Sequence, residues 1–142
     1  MGQYLLRLII AGILGFIMGL TSNIEDNTQS GRVFSIICMG TALISIISVG
    51  IFQSMNIPWV GDPGRMPAQV ISAMGFLGTG MIWVTQDNKV MGMTSAASLW
   101  LTAILGMVIG AGLDNISIIG TIFFILIYKL SPLLPVRVRT KK

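Results

Sequence analysis

Long apolar runs separated by short polar segments set the pattern of this chain. The runs lie at about residues 4–21, 33–55, 63–85, 94–113 and 116–130. A helix needs about 20 apolar residues to cross the hydrocarbon core of a bilayer, and the runs reach or approach that length. The pattern therefore predicts an all-α membrane protein, a bundle of about five transmembrane helices occupying residues 1–131.

Composition agrees with a membrane chain and narrows its chemistry. Of the 142 residues, 54% are hydrophobic and 10% are charged, whereas a soluble domain carries about 25% charged residues. Histidine is absent, which removes the commonest general base and metal ligand, and Cys38 is the single cysteine. We therefore expect a protein surrounded by the lipid bilayer, with no enzyme activity, no cofactor and no nucleic-acid partner.

Small residues recur at four-residue spacing in two of the runs. They are Ala11, Gly15 and Gly19 in the first run, and Thr102, Gly106 and Gly110 in the fourth. This spacing places each set on one face of a helix, where small side chains let two backbones approach closely in a membrane. Both faces are predicted to pack against other helices.

The third run contains the sequence GFLGTG, with Gly75, Gly78 and Gly80. A phosphate-binding loop would need a Lys-Ser/Thr pair after the last glycine and a strand before the first. A potassium filter would need a different order of aromatic and glycine residues. Two interpretations stay open: a face for close helix contact, or a locally unwound helix whose carbonyl groups meet an ion or a small ligand.

A polar cluster is predicted at the entrance of the third run, formed by Arg7, Asp62, Arg65 and Gln69. Asp62 is a good N-cap before Pro63, and Arg65 is placed to pair with it. Gln69 lies about two turns inside the run, where an amide needs a partner. Arg7 reaches the same membrane face, either to snorkel or to pair with an acid. The cluster is either structural or part of an ion or partner site, with Asp62 as a weak metal candidate.

The connections and the last two runs carry their own signals. Thr94 is the predicted N-cap of the fourth helix, after a tight connection at 85–93. Trp100 lies deep in the fourth run and is predicted to pack rather than to anchor. The fifth run is rich in bulky residues, so it is expected at the periphery facing lipid, with Tyr128 and Lys129 reaching the interface.

Basic residues predict the orientation of the chain. If it crosses the membrane five times, Arg32, Lys89 and the basic tail at 132–142 fall on one side. Short segments rich in Lys and Arg stay in the cytoplasm, so the N-terminus is predicted to be external and the C-terminus cytoplasmic. Polar loops are predicted at 22–31 and 56–61, the second with Trp59 as an interfacial anchor.

Residues 62–100 resemble the signature of the MgtC/SapB family of bacterial inner-membrane proteins. The matching stretches are DPGR at 62–65, AQVIS at 68–72, GFLGTG at 75–80 and MGMTSAASLW at 91–100. Gly106 and the GAGL sequence at 110–113 also fit. The motif residues assigned to helix packing are Gly75, Gly78, Gly80, Thr94, Ser98, Trp100, Gly106 and Gly110.

The resemblance implies a multi-pass protein of the bacterial cytoplasmic membrane. It also implies a link to magnesium limitation, to the survival of pathogens inside host cells and to modulation of the proton-translocating ATP synthase. Many family members carry a C-terminal soluble domain, and this chain looks like a minimal form without it. The family is often labelled a magnesium transport ATPase, but the sequence contains no P-loop.

Two functions are carried forward. The first is a regulator that acts through helix contacts, either with a membrane partner such as ATP synthase or a transporter, or with itself as a dimer or higher homo-oligomer. The second is a transporter or channel subunit for Mg²⁺, another cation or a small solute. In that case Gln69 and the glycines of the third run would lie beneath a mouth formed by Asp62 and Arg65.

Overall fold

The computed structural model describes residues 2–22, 27–54 and 62–130, and five helices form this part of the chain. They are α1 (Gly2–Thr21), α2 (Asn27–Ser54), α3 (Arg65–Gly80), α4 (Met93–Gly110) and α5 (Asp114–Leu130). A small antiparallel hairpin of β1 (Trp83–Val84) and β2 (Val90–Met91) connects α3 to α4. The predicted helical bundle is confirmed. The predicted loop at 56–61 with Trp59 and the predicted tail at 132–142 lie outside the described residues.

The first helix packs on α2 through its glycines. A Cβ atom added to Gly15 would lie 2.7 Å from the Cβ atom of Cys38, and one added to Gly19 would lie 2.6 Å from the α2 backbone. Any side chain larger than hydrogen would therefore force the two helices apart. The Ser35 hydroxyl also donates across this interface to the Gly12 carbonyl oxygen, at 2.9 Å.

The fourth helix packs on α2 in the same way. A Cβ atom on Gly106 would overlap the Thr41 hydroxyl and the Cys38 carbonyl oxygen, and one on Gly110 would overlap the Ala42 carbonyl oxygen. Lipid chains are as apolar as side chains, so close van der Waals contact rather than the hydrophobic effect favours such association in a membrane. The two predicted packing faces are thus confirmed, and α2 is the helix that both faces contact.

Buried hydroxyl groups lie beside the apolar core. The Thr102 and Thr121 hydroxyls each donate to a carbonyl oxygen four residues earlier in their own helices, at 2.8 Å. Among the described residues, no buried side-chain nitrogen or oxygen lacks a hydrogen bond. The Thr102 and Thr121 hydroxyls are thus satisfied by the backbone of their own helices.

The fifth helix lies at the edge of the bundle, as predicted. Gly120 brings it close to Leu105 of α4, where Phe124 is also buried. Its outward residues are bulky and apolar, and Phe123 is 61% exposed. The Tyr128 ring is partly buried against the core, with its centroid 5.7 Å from that of Phe124, because the two residues lie one turn apart. That its hydroxyl reaches the membrane interface stays a prediction.

The third helix is shorter than the predicted span at 63–85. Asp62 is not its N-cap, because the helix begins at Arg65 and Gly64 occupies the capping position. The Asp62 carboxylate instead accepts a hydrogen bond from the Gly64 N–H at 2.7 Å, which forms a turn ahead of the helix. The helix ends at Gly80, and the predicted tight connection contains the β-hairpin.

Two further helix starts differ from prediction. α4 begins at Met93 after Gly92, so Thr94 lies inside the first turn rather than at the N-cap. Gly92 has a φ of 86°, and a Cβ atom added to it would overlap the Met81 carbonyl oxygen. Both its backbone conformation and the space around it therefore favour glycine at the end of the hairpin. α2 begins at Asn27, within the predicted loop at 22–31. The backbone of Ser30 and Gly31 lies against Gly19 of α1, and such tertiary contact stabilises helix where propensity is weak.

Three of the described helical segments are long and apolar enough to cross a membrane. They are Gly2–Thr21, Ser30–Ser54 and Met93–Gly110, and the apolar segment Asn115–Leu130 is shorter. The chain is an all-α membrane protein.

We predict that Gly106→Ala and Gly40→Ala change stability in opposite directions. A methyl group at 106 meets the α2 backbone, and overpacking costs about 1–3 kcal/mol. Gly40 has no atom within 4 Å of an added Cβ atom, and alanine favours helix over glycine by about 1 kcal/mol. Thermal unfolding in detergent, followed by tryptophan fluorescence, measures both effects. Equal shifts in Tm would contradict the packing described.

Candidate functional site

The third helix contacts the rest of the bundle along one narrow stripe. Val70, Met74 and Gly78 are its buried residues, and Ala96 of α4 lies 3.7 Å from the position of a Cβ atom on Gly78. These three residues are four apart, so they lie on one side of the helix. The opposite side of α3 faces away from the described chain.

That opposite side is a mixed surface, here named the α3 outer face. Its exposed residues are Arg65, Ala68, Gln69, Ser72, Gly75, Phe76 and Thr79. Phe76 is 80% exposed, and no atom lies within 4 Å of a Cβ atom added to Gly75 or Gly80. Within the described chain, Gly75 and Gly80 therefore form no close helix contact, and a Cβ atom on Gly78 would meet Ala96 only at an ordinary van der Waals distance.

The same segment is continuous helix. α3 extends through Gly75 and Gly78 to Gly80, where the Met81 N–H closes the last turn on the Gly78 carbonyl oxygen at 3.1 Å. Carbonyl groups inside a continuous helix accept hydrogen bonds from their own helix. The structure therefore contradicts the second interpretation of the GFLGTG sequence, a helix that is locally unwound at 75–80.

Gln69 lies beside a groove between α2 and α3. The groove has a volume of about 310 Å³ and is lined by Ile44, Met66, Gln69, Val70 and Ala73. The Gln69 side chain is exposed, and it makes no hydrogen bond with any other described residue. The amide predicted to need a partner therefore finds none within the described part of the chain.

Asp62 and Arg65 occupy the turn and the first residue of α3. The Arg65 N–H donates to the Asp62 carbonyl oxygen at 3.2 Å, while both side chains are exposed. The Ser48 hydroxyl donates to the Pro63 carbonyl oxygen at 2.7 Å, which attaches this turn to α2. The predicted ion pair between Asp62 and Arg65 is not formed among the described residues.

Arg7 contacts the end of α4, and it forms no hydrogen bond or ion pair with the other members of the predicted cluster among the described residues. Its Nη1 donates to the Gly110 carbonyl oxygen at 3.2 Å, and its Nη2 lies 2.5 Å from the position of a Cβ atom on Gly112. Gly112 has a φ of 85°, as expected just after a helix that ends in a left-handed glycine. A half-buried cation thus meets the negative end of the α4 dipole, where it is stabilising. In the sequence, Gly112 indicated that α4 ends here, but no sequence pattern indicated that Arg7 binds this end.

The structure separates the remaining motif residues into inner and outer positions. Ser98 is buried, and its hydroxyl donates to the Thr94 carbonyl oxygen at 2.8 Å. Thr94 is exposed, and Trp100 is 43% exposed, so the prediction that Trp100 packs inside the bundle was wrong. The helix turns that side chain outward, and depth along a run does not decide which face a residue occupies.

Comparison with known proteins identifies the family to which this chain belongs. The model of the MgtC family matches residues 8–135. This chain belongs to the MgtC family. The match includes the α3 outer face, the hairpin and the glycines of α4.

Three relatives illustrate the range of similarity within the MgtC family. The "Putative magnesium transporter YhiD" of Escherichia coli K12 is 35% identical over 141 residues, covering 98% of this chain and 65% of that protein. Protein SapB of Bacillus subtilis is 28% identical, covering 90% of this chain and 56% of its own length. Protein MgtC of Brucella abortus is 32% identical, covering 81% and 45%.

This MgtC-family chain spans 65% or less of the length of those three relatives. No solved structure matches it.

No site for a bound metal emerges from the described residues of this MgtC-family chain. Within them, no group of three or more His, Cys, Asp or Glu side chains could hold a metal ion. The weak metal candidate, Asp62, has the Gly64 N–H as its closest hydrogen-bond donor.

We predict that Arg7→Met destabilises the protein, whereas Arg32→Met does not. Arg7 binds the end of α4, and a charged contact at a partly buried helix C-terminus contributes about 1–2 kcal/mol. Arg32 is exposed on α2. Thermal unfolding in detergent should show a lower Tm for the first variant, with partial recovery in Arg7→Lys. An unchanged Tm for Arg7→Met would show that the contact with Gly110 adds nothing to stability.

Proposed function

We propose that this chain is a non-enzymatic regulator in the bacterial cytoplasmic membrane that acts through helix contacts with other membrane proteins or with itself. Its physiological setting is magnesium homeostasis and adaptation to stress. The names of two relatives support this setting, since one is described as a putative magnesium transporter and another is MgtC itself.

The observation that carries this proposal is the α3 outer face. A lipid-facing helix surface gains nothing from glycine, hydroxyl and amide groups, because lipid offers them neither close packing nor hydrogen bonds. The exposed side of α5 provides the contrast, since its large residues such as Ile122 and Phe123 suit contact with acyl chains. The exposed surfaces of α3 and α5 thus differ in chemistry, and the mixed surface of α3 suits a protein neighbour.

The orientation belongs to the same proposal. Arg7 and the Asp62–Arg65 turn would face the outside, and Arg32, Lys89 and the tail at 132–142 would face the cytoplasm. This follows the excess of basic residues expected on the cytoplasmic side. The α3 outer face would then run through the membrane with its charged end outside.

Photo-crosslinking in living cells tests the proposal with a matched pair of phenylalanines. Replacing Phe76 with benzoylphenylalanine should give discrete cross-links to one or more membrane proteins, whereas the same replacement of Phe123 on α5 should give few. Both side chains are strongly exposed, at 80% and 61%. Mass spectrometry of the adducts identifies the neighbours. Equal adduct patterns at both positions would overturn the proposal.

A transporter subunit is the second candidate function. It is favoured by the position of Gln69, an exposed amide residue that borders the largely apolar groove between α2 and α3. An exposed amide at this depth could coordinate a partly hydrated cation through its oxygen.

Flux measurement tests that candidate. Proteoliposomes should take up Mg²⁺ when they contain the wild-type chain, and uptake should fall about tenfold with Gln69→Leu, as expected when one polar contact worth about 1.4 kcal/mol is lost. Gln53→Leu, at an exposed position near the end of α2, should keep the wild-type rate. Identical flux in liposomes with and without the protein would remove this candidate.

A further inference from the structure

We propose that the α3 outer face is a symmetric interface with a second copy of this chain, in which Asp62 of each copy pairs with Arg65 of the other. This inference rests on the proposed function, because it identifies a second copy of the chain as the partner that α3 contacts. Two copies inserted in the same direction are related by a twofold axis along the membrane normal. Their α3 helices then run parallel, with corresponding residues at the same depth.

Charge complementarity is the main argument for a second copy. Asp62 and Arg65 are both exposed at the entrance of α3, and among the described residues neither forms an ion pair. In a twofold interface, residue i of one copy contacts residue j of the other and the reverse contact also forms. One acid and one base on the same face therefore give two ion pairs. The Asx turn holds the carboxylate in place through the Gly64 N–H at 2.7 Å, so it is already ordered for the contact.

The shape of the face is self-complementary as well. Phe76 projects from it with 80% of its surface exposed, while the adjacent Gly75 leaves open space where a side chain would be. In a pair of parallel helices, the ring of one copy can fill the space above the glycine of the other. Ala68, Ser72 and Thr79 lie along the centre of the face and are small enough for the backbones to approach closely.

The amide of Gln69 adds a third self-complementary group. A carboxamide carries two donors and an acceptor, so two such groups can bond to each other across a twofold axis. Lipid cannot supply those bonds. An unrelated partner would need an acid, a base, an amide and a matching cavity in the right places, whereas a second copy already has all four.

Disulfide cross-linking tests the interface in membranes of cells that express the full chain. In a Cys38→Ala background, Ser72→Cys places a thiol at the centre of the α3 outer face, and oxidation should give a cross-linked dimer. The matched control, Ile122→Cys on the lipid-facing side of α5, should give about tenfold less dimer. Cysteine pairs cross-link only when their Cα atoms approach within about 7 Å. Equal dimer yields at the two positions, or none at 72, would overturn the proposal.

Charge exchange tests the ion pairs in the same Ser72→Cys chain. Arg65→Asp alone and Asp62→Arg alone each place like charges opposite each other in a homodimer, and each should reduce the dimer yield about tenfold. The two variants are then expressed together with different tags. In the mixed dimer, Asp62 of one copy faces Arg65 of the other, which is the native pair. The second pair is reversed, with the new acid at position 65 facing the new base at position 62. The mixed dimer should then return to within about twofold of the starting yield. Failure of the mixed dimer to recover would overturn the Asp62–Arg65 pairing.

The two proposals fail in different ways. If Ser72→Cys gives no dimer while benzoylphenylalanine at 76 still labels a different membrane protein, the symmetric interface is wrong and the regulatory function stands. If neither experiment yields a protein adduct on α3, both are wrong. A dimeric adduct at Phe76 together with a dimer at Ser72→Cys supports both.

Discussion

Close approach of three helix backbones is the interaction on which this structure depends. Glycines of α1 and α4 meet the backbone of α2 at positions where even a methyl group would overlap it, most tightly at Gly106 and Gly110. In a bilayer no hydrophobic force draws one apolar helix to another, so the area and closeness of such contacts decide which helices associate. The α1–α2–α4 unit is therefore the closely packed centre of the fold, and the other two helices attach to it.

The two attached helices present outer surfaces of different chemistry. α5 presents bulky apolar side chains, which lose nothing in contact with acyl chains. α3 presents glycine, hydroxyl, amide and charged groups on its outer face, and it also exposes the apolar side chains of Met66, Ile71, Leu77 and Phe76. The outer surface of α3 follows from a single stripe: because Val70, Met74 and Gly78 are the buried residues of this helix, its other motif residues are exposed. The family motif thus lies mostly on a surface and only partly in the core.

Polar atoms are accommodated without disturbing the packing. Buried hydroxyls bond to their own helices, Ser35 and Ser48 connect neighbouring elements, and Arg7 binds the carbonyl end of α4. Arg7 therefore has a structural contact at the membrane face where a polar cluster was predicted. Asp62, Arg65 and Gln69 make no comparable side-chain contact between elements in the described chain, which leaves their chemistry directed outward.

Sequence periodicity determined the helical membrane class, the five runs and the two glycine faces, because hydrophobic length and four-residue spacing are local properties. The short motifs at 62–100 also indicated the family that the comparisons established. Only the tertiary structure decided which helix each face meets and which motif residues remain outside. Gly75 and Gly106 look alike in sequence, yet one faces open space and the other α2, because neighbours depend on contacts distant in the chain. The end of α3 and the hairpin after it likewise depend on Gly92 fitting against Met81, a contact between residues on opposite sides of the hairpin.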